Sequence, residues 1–253
     1  MKRFFAFVLF VVLPICTVAF ILIYSPLFRI NTIDITGQIH ETTKNILDTS
    51  DLEIGCHPFF PLQLLPGNRP LLHIEASRAK IEKLAWVKTA KVDWIPLHTL
   101  RIQVTERTPF AKLPYLQGFL VIDDTGAVLY YTDKMSDEKE IRGIRFSGYI
   151  MGRKPDTENP KNIDLALQVL KTIQQTKGEG NQNLIDFVDW VDIVADNRAL
   201  VLLDQRITVR FDPNTELQYT IDFMKSIFFQ HIAPEEKGVL DFTRGGNPSF
   251  RPD

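Results

Sequence analysis

Between Ile74 and Pro109 the hydrophobic period changes once, and that change dictates a helix followed by two strands. Ile74, Ser77, Ile81, Leu84 and Ala85 recur at helical spacing, while Glu75, Lys80, Glu82 and Lys83 occupy the opposite face. From Thr89 to Ile95 the period drops to two, with Ala90, Val92 and Trp94 alternating with Thr89, Lys91 and Asp93. Leu100, Ile102 and Val104 then alternate with Arg101 and Gln103. Pro96 has no N–H to give to a ladder and falls in the turn Ile95-Pro96-Leu97-His98, and Pro109 closes the second strand.

The start of the chain is constrained differently. Phe4 to Tyr24 carries no charged residue and follows Met1-Lys2-Arg3. At about 1.5 Å per residue, one helix over that stretch spans roughly the 30 Å hydrocarbon core of a bilayer. The basic flank places residues 1–3 in the cytoplasm as a short tail, 4–24 as a transmembrane helix, and the bulk of the chain outside. A cleavable signal would need a small-residue site after a shorter apolar run, and none precedes Tyr24. Cys16 and Cys56 fall on opposite sides of that boundary, so they do not pair, and Cys56 reads as a small buried hydrophobe.

Outside the membrane, Phe28 to Gly37 reads as a strand with Ile33 and Ile35 on one face. Glu41 to Asp48 follows as a short helix whose apolar face is Ile39, Ile46 and Leu47. A proline-rich loop from Cys56 to Pro70, with Phe59, Phe60, Leu62, Leu64 and Leu65, is expected to cover the domain's own core. The order strand, helix, helix, strand, strand makes residues 28–109 an α+β domain, with two helices on a three-stranded sheet.

Residues 110–244 form a second domain with a mainly antiparallel sheet. Phe119–Asp123 and Ala127–Tyr131 flank the turn Asp124-Thr125-Gly126 as a hairpin, and Arg145 to Gly148 is a short strand. Asn159-Pro160 opens a helix with Ile163, Ala166, Leu167, Leu170 and Ile173 inward. Trp190–Ala195, Ala199–Leu203 and Ile207–Phe211 are read as a meander. Asp212-Pro213 is expected to open a last helix with Leu217, Ile221, Met224 and Phe228 inward, before a final strand from Gly238 to Arg244. Residues 245–253 are left as a tail.

An apolar N-terminal stretch leading into F-R-I-x-x-I-x-I-x-G, then L-x-W-V-K-x-A-x-V, then W-I-P-x-x-L-x-I-x-V-x-E-R-x-P resembles the POTRA domain of the bacterial division family FtsQ/DivIB. The residues that carry it are Ile33, Ile35, Gly37, Trp86, Val87, Ala90, Val92, Pro96, Leu100, Ile102, Val104, Glu106, Arg107 and Pro109. The second region is similar to that family in the order of its elements. Two departures stand out: the tail is only Met1-Lys2-Arg3, and Asp241-Phe242-Thr243-Arg244 replaces a usual Asp-Leu-Arg-Tyr.

The resemblance implies a non-enzymatic, inner-membrane scaffold of the division septum, without a cofactor. Its implied partners are single-span coiled-coil division proteins of the FtsB and FtsL families and, through them, the peptidoglycan synthase complex. In the family the final strand is the partner edge, which carries over to Asp241, Phe242, Thr243, Arg244 and Gly246, with Phe250 an anchor beyond them. The physical logic is that an edge strand offers unpaired N–H and C=O groups to an extended segment. The plainer reading is that this strand only completes the sheet.

Other classes fit less well. POTRA domains also serve outer-membrane protein assembly, but as tandem copies leading into a barrel, and one copy is found here. Asp124-Thr125-Gly126 resembles an aspartic-protease loop, whose chemistry needs two carboxylates sharing a proton; a second copy is missing. His40, His57, His73, His98 and His231 are scattered, with no metal-binding spacing. Lys91, Arg101 and Lys112 read as solvated strand-face charges, and 29 basic against 31 acidic residues leave no bulk field for nucleic acid.

Overall fold

The computed structural model describes residues 11–24, 29–55, 74–95, 98–134, 136–176, 182–195, 197–244 and 247–253. Cys56, the apolar loop to Pro70, the Pro96 turn and Gly246 lie outside them. Helix α1, Leu13–Tyr24, carries no charged residue. Among the described residues no helix is long and apolar enough to cross a membrane, and Phe4 to Phe10 of the expected span lie outside those residues. The chain divides into two compact units, Met1–Arg107 and Thr108–Asp253.

The first unit contains β1 (Thr32–Thr36), α2 (Thr43–Ser50), α3 (Ile74–Ile81), β2 (Val87–Ile95) and β3 (Thr99–Glu106). Strand β3 is central, parallel to β1 and antiparallel to β2. Alternation along β2 and β3 buries Ala90, Val92, Leu100, Ile102 and Val104 with Ile46 of α2 and Ile81 of α3 in one core. Thr42 caps α2 by accepting the Asn45 N–H at 3.1 Å. Ile39, expected on the apolar face of α2, is instead 83% exposed. Residues 39–41 are held by their backbone against Glu106, which turns the Ile39 side chain outward.

Among the described residues the second unit has a nine-stranded mixed sheet in the order β14-β13-β12-β11-β10-β7-β4-β5-β6. Its strands are β4 (Ala111–Tyr115), β5 (Gly118–Ile122), β6 (Val128–Thr132), β7 (Lys139–Arg142), β10 (Val188–Ala195), β11 (Arg198–Leu203), β12 (Ile207–Phe211), β13 (Gly238–Asp241) and β14 (Ser249–Pro252). A separate pair joins β8 (Phe146–Gly148) to β9 (Asp156–Thr157). Strands β10, β11 and β12 form the antiparallel meander, with Asp204 and Gln205 at positive φ in the tight turn. The sheet is mainly antiparallel, as expected, with β4/β7, β7/β10 and β12/β13 as its parallel pairs.

Helices α4 (Pro160–Gln175) and α5 (Leu217–Gln230) supply Ile163, Ala166, Leu167, Leu170, Ile173, Ile221, Met224 and Phe228 to a core that the sheet completes. Helix α5 starts at Leu217, four residues later than Asp212-Pro213 suggests. The Asp212 carboxylate accepts the Asn214 N–H at 2.9 Å and closes a local turn instead of capping the helix. Lys112 is also buried rather than solvated. Its Nζ donates to the Ser136 carbonyl at 2.6 Å and lies 5.0 Å from the Phe119 ring centroid.

Candidate partner-binding edge

Strand β13 is laid down beside β12 by backbone bonds that fix which way each residue faces. The N–H groups of Gly238 and Phe242 donate to the carbonyls of Arg206 and Arg210 at 3.1 and 2.8 Å. Val239 and Asp241, one residue out of phase, therefore direct their backbone groups away from β12. They meet β14, which runs antiparallel with Val239 opposite Arg251, Leu240 opposite Phe250 and Asp241 opposite Ser249. The Asp253 N–H continues that ladder to the Lys237 carbonyl at 3.0 Å. At Gly238 an added Cβ would stand 2.1 Å from the Arg251 carbonyl oxygen, so glycine is what admits β14.

The expected strand from Gly238 to Arg244 stops at Asp241. The buried Asp241 carboxylate accepts the Thr243 N–H at 2.9 Å and the Thr243 hydroxyl at 2.6 Å, which bends the chain off the sheet. The Thr243 hydroxyl, then its N–H, then the charges of Arg244 and Arg210 hold Asp241 below the usual carboxylate range against the opposing effect of burial. Arg244 Nε lies 3.4 Å from the Asp241 carboxylate, and its own side chain is largely exposed.

The sequence-derived site residues thus separate into groups. Asp241 and Thr243 form the turn, and Arg244 closes over it. Phe242 packs edge-on against Phe223 of α5 at 6.3 Å, and Phe223 stacks on Tyr219, which is 63% exposed. Phe250 lies in β14 and packs against the main core, while Gly246 is outside the described residues. Residues 249–252, assigned from sequence to a tail, are a strand of the sheet. Sequence reasoning missed that strand, the role of Gly238, and the aromatic row from Tyr219 to Phe242. The spacing of Tyr219 and Phe223 on one helix face was the only available signal for the last.

The Asp124-Thr125-Gly126 turn is built by the same device as Asp241-Phe242-Thr243. Asp123, fully buried, accepts the N–H groups of Thr125 and Ala127, each at 2.8 Å, and the Thr125 hydroxyl at 2.7 Å. Asp124 lines a shallow cleft with Lys154, Asp164 and Lys171. There the Asp124 carboxylate is 3.9 Å from Lys171 Nζ, and Asp164 pairs with Lys154. Each acid faces an ammonium, which is the opposite of two acids sharing a proton. Among the described residues no group of three His, Cys, Asp or Glu side chains is placed to hold a metal ion.

In the first unit Glu106 organises the end of the sheet. Its carboxylate accepts the N–H groups of Ile39, His40 and Glu41 at 2.9 to 3.1 Å and meets His40 Nδ1 at 2.9 Å. Burial alone would raise this carboxyl, but the backbone donors of Glu41, His40 and Ile39, with the imidazole, leave it below its usual value. His40 stacks on Trp86 with ring centroids 4.0 Å apart. Gly37, at φ +90°, passes so close to Val104 that an added Cβ would stand 2.0 Å from its carbonyl oxygen. Gly37, Trp86 and Glu106 of the recognised pattern are therefore one clamp between β1 and β3.

No curated protein matches this chain. Residues 28–107 match the family model described as POTRA domain, FtsQ-type. That interval holds β1, α2, α3, β2 and β3, and it ends at Arg107, whose N–H donates to the Trp86 carbonyl at 2.7 Å. Residues 28–107 of the first unit are thus an FtsQ-type POTRA domain, in agreement with the FtsQ/DivIB resemblance of their sequence.

Proposed function

We propose that this protein is a non-enzymatic, membrane-anchored scaffold of the bacterial division septum. The observation that carries this reading is the FtsQ-type POTRA domain at residues 28–107. The uncharged run from Phe4 to Tyr24 behind Met1-Lys2-Arg3 supports a single-pass anchor with the bulk of the chain outside the cytoplasm. The second unit contributes the partner edge at the end of its sheet, where β14 is the outermost strand and the half-buried Phe242 and Phe250 lie near the exposed Arg244 and Arg251. The partners are extended segments of single-span coiled-coil proteins of the FtsB and FtsL families, which connect the scaffold to septal peptidoglycan synthesis.

Binding of the full chain to the extracytoplasmic segments of those two partners tests the reading. A complex that survives purification supports it. Absence of binding to either, with the chain folded, removes it.

A further inference from the structure

The geometry points to a docking site on the first unit, where Ile39 and the stacked pair of His40 and Trp86 receive an aromatic side chain from an acidic peptide segment. It stands on the first unit alone and does not depend on the septal role.

An apolar side chain is held where a core cannot use it. Ile39 lies one turn ahead of helix α2 and shares the apolar spacing of Ile46 and Leu47, yet it is 83% exposed. A slack loop would let that side chain fold back onto the domain. Here the Glu106 carboxylate accepts the N–H of Ile39 at 2.9 Å, that of His40 at 2.9 Å and that of Glu41 at 2.9 Å. The Glu106 side chain is 5% exposed, so these charge-assisted bonds are made largely out of water. Three consecutive amides are thus spent on keeping an isoleucine in solvent. An apolar anchor that is ordered before contact loses little freedom when a partner covers it, which is the condition for a strong single-residue contribution to binding. A local packing rule broken by built structure is where function is expected.

The same carboxylate shapes the surface beside the anchor. It meets His40 Nδ1 at 2.9 Å, which fixes the rotation of the imidazole and lays it on the Trp86 indole, with centroids 4.0 Å apart and planes 6° from parallel. Trp86 takes one face of the imidazole, and the His40 side chain is still 47% exposed. A flat ring next to a fixed aliphatic side chain is a seat for an aromatic residue.

Charge selects what flanks that residue. Arg107 is tied to this face by its N–H, which donates to the Trp86 carbonyl at 2.7 Å, and by Nε, which donates to the Val87 carbonyl at 3.1 Å. Lys88 follows two residues after Trp86 and is exposed. The neighbouring acids are engaged: Glu106 lies under the loop, and Glu41 accepts from the Asn45 side-chain amide at 2.6 Å. The accessible charge around the seat is therefore positive, and complementary residues on either side of an incoming aromatic are acidic. A lipid surface fits less well. One isoleucine and one imidazole make a small apolar footprint, and 29 basic against 31 acidic residues give the chain no bulk attraction to an anionic bilayer.

The test uses the full chain in phosphatidylcholine nanodiscs and three fluorescent peptides. The first is Gly-Asp-Glu-Trp-Asp-Gly; the second has alanine for tryptophan, and the third has lysine for each acid. The first is expected to bind about tenfold or more tightly than either of the others. Ile39→Ser should weaken its binding about tenfold while leaving the thermal melt unchanged, because the side chain touches no core. Lys88→Glu should weaken the acidic peptide and strengthen the lysine peptide. Glu106→Ala, which releases the loop with Ile39 and His40 intact, should also weaken the acidic peptide. No binding of the first peptide, equal binding of all three, or full binding by Ile39→Ser would each overturn the proposal. Phosphatidylglycerol vesicles that bind the parent chain but not Ile39→Ser would assign the face to lipid and overturn it as well.

Discussion

Phe250 stands directly opposite Leu240 across the β13–β14 pair, so an aromatic side chain from the last few residues of the sequence packs on the core of the second unit. That contact, with the main-chain ladder on either side of it, makes a strand of residues that the sequence reading left in a tail.

Gly238 controls this pairing. Replacing it by alanine puts a Cβ 2.1 Å from the Arg251 carbonyl, and β14 must lift away. The expected cost is about 1–3 kcal/mol, in the range of local overpacking. Hydrogen exchange reads it directly: the amides of Val239 and Asp241 should exchange much faster, and that of Leu240, which faces β12, should change little.

Asp241 makes the same region sensitive to acid. Its carboxyl titrates below the usual carboxylate range in the folded protein, so its contribution is present above the unfolded value and is lost as pH falls through the folded one. The Asp241 turn should therefore loosen on acidification below the ordinary carboxylate range and stay fixed near neutrality. Asp241→Ala should lower stability by about 1.5–3 kcal/mol, the magnitude for a buried hydrogen bond to a charged group, and flatten that acid limb. An unchanged limb in urea melts across that range would contradict the assignment.

Glu106 has the same sign in the first unit. Its depressed carboxyl loses its stabilising effect as pH falls through the folded value. Glu106→Ala should cost about 1–3 kcal/mol and free the Ile39–Glu41 segment, seen as faster exchange of those three amides. Gly37→Ala, which combines φ +90° with a backbone clash at Val104, should be at least as damaging in thermal melts.

Asp124→Asn should do little. The carboxylate is partly exposed and 3.9 Å from Lys171, so the change in stability should stay within about 0.5 kcal/mol. Complementation of a strain lacking the protein should be unaffected. Loss of complementation by a folded variant would reopen the acid chemistry that the turn's sequence resembles.

The elements with a clear period were readable from sequence, and their physical basis explains why. Strands β2 and β3 each keep one face buried, so Ala90, Val92, Leu100, Ile102 and Val104 stand out at every second position. Helix α4 has the corresponding signal at Ile163, Ala166, Leu167, Leu170 and Ile173. Strand β7 does not, because three of its four residues, Lys139, Glu140 and Arg142, are charged and only Ile141 is buried. Strand β4 contains Pro114, which has no N–H to give to a ladder, so its sequence carries no clear strand signal. Ser249 to Pro252 is too short for a period and follows Gly245-Gly246-Asn247-Pro248, which reads as a tail. Only its tertiary partner β13 makes it a strand. The Asp241 turn was hidden for a related reason: the side-chain bonds to Thr243 that end β13 cannot be distinguished in sequence from a polar residue continuing it.

The position of the protein in dividing cells tests the septal reading most directly. A fluorescent fusion on the Met1 end, followed by microscopy through the cycle of the source bacterium, should gather into a band at mid-cell as the septum forms. Uniform membrane signal through the whole cycle would contradict the account.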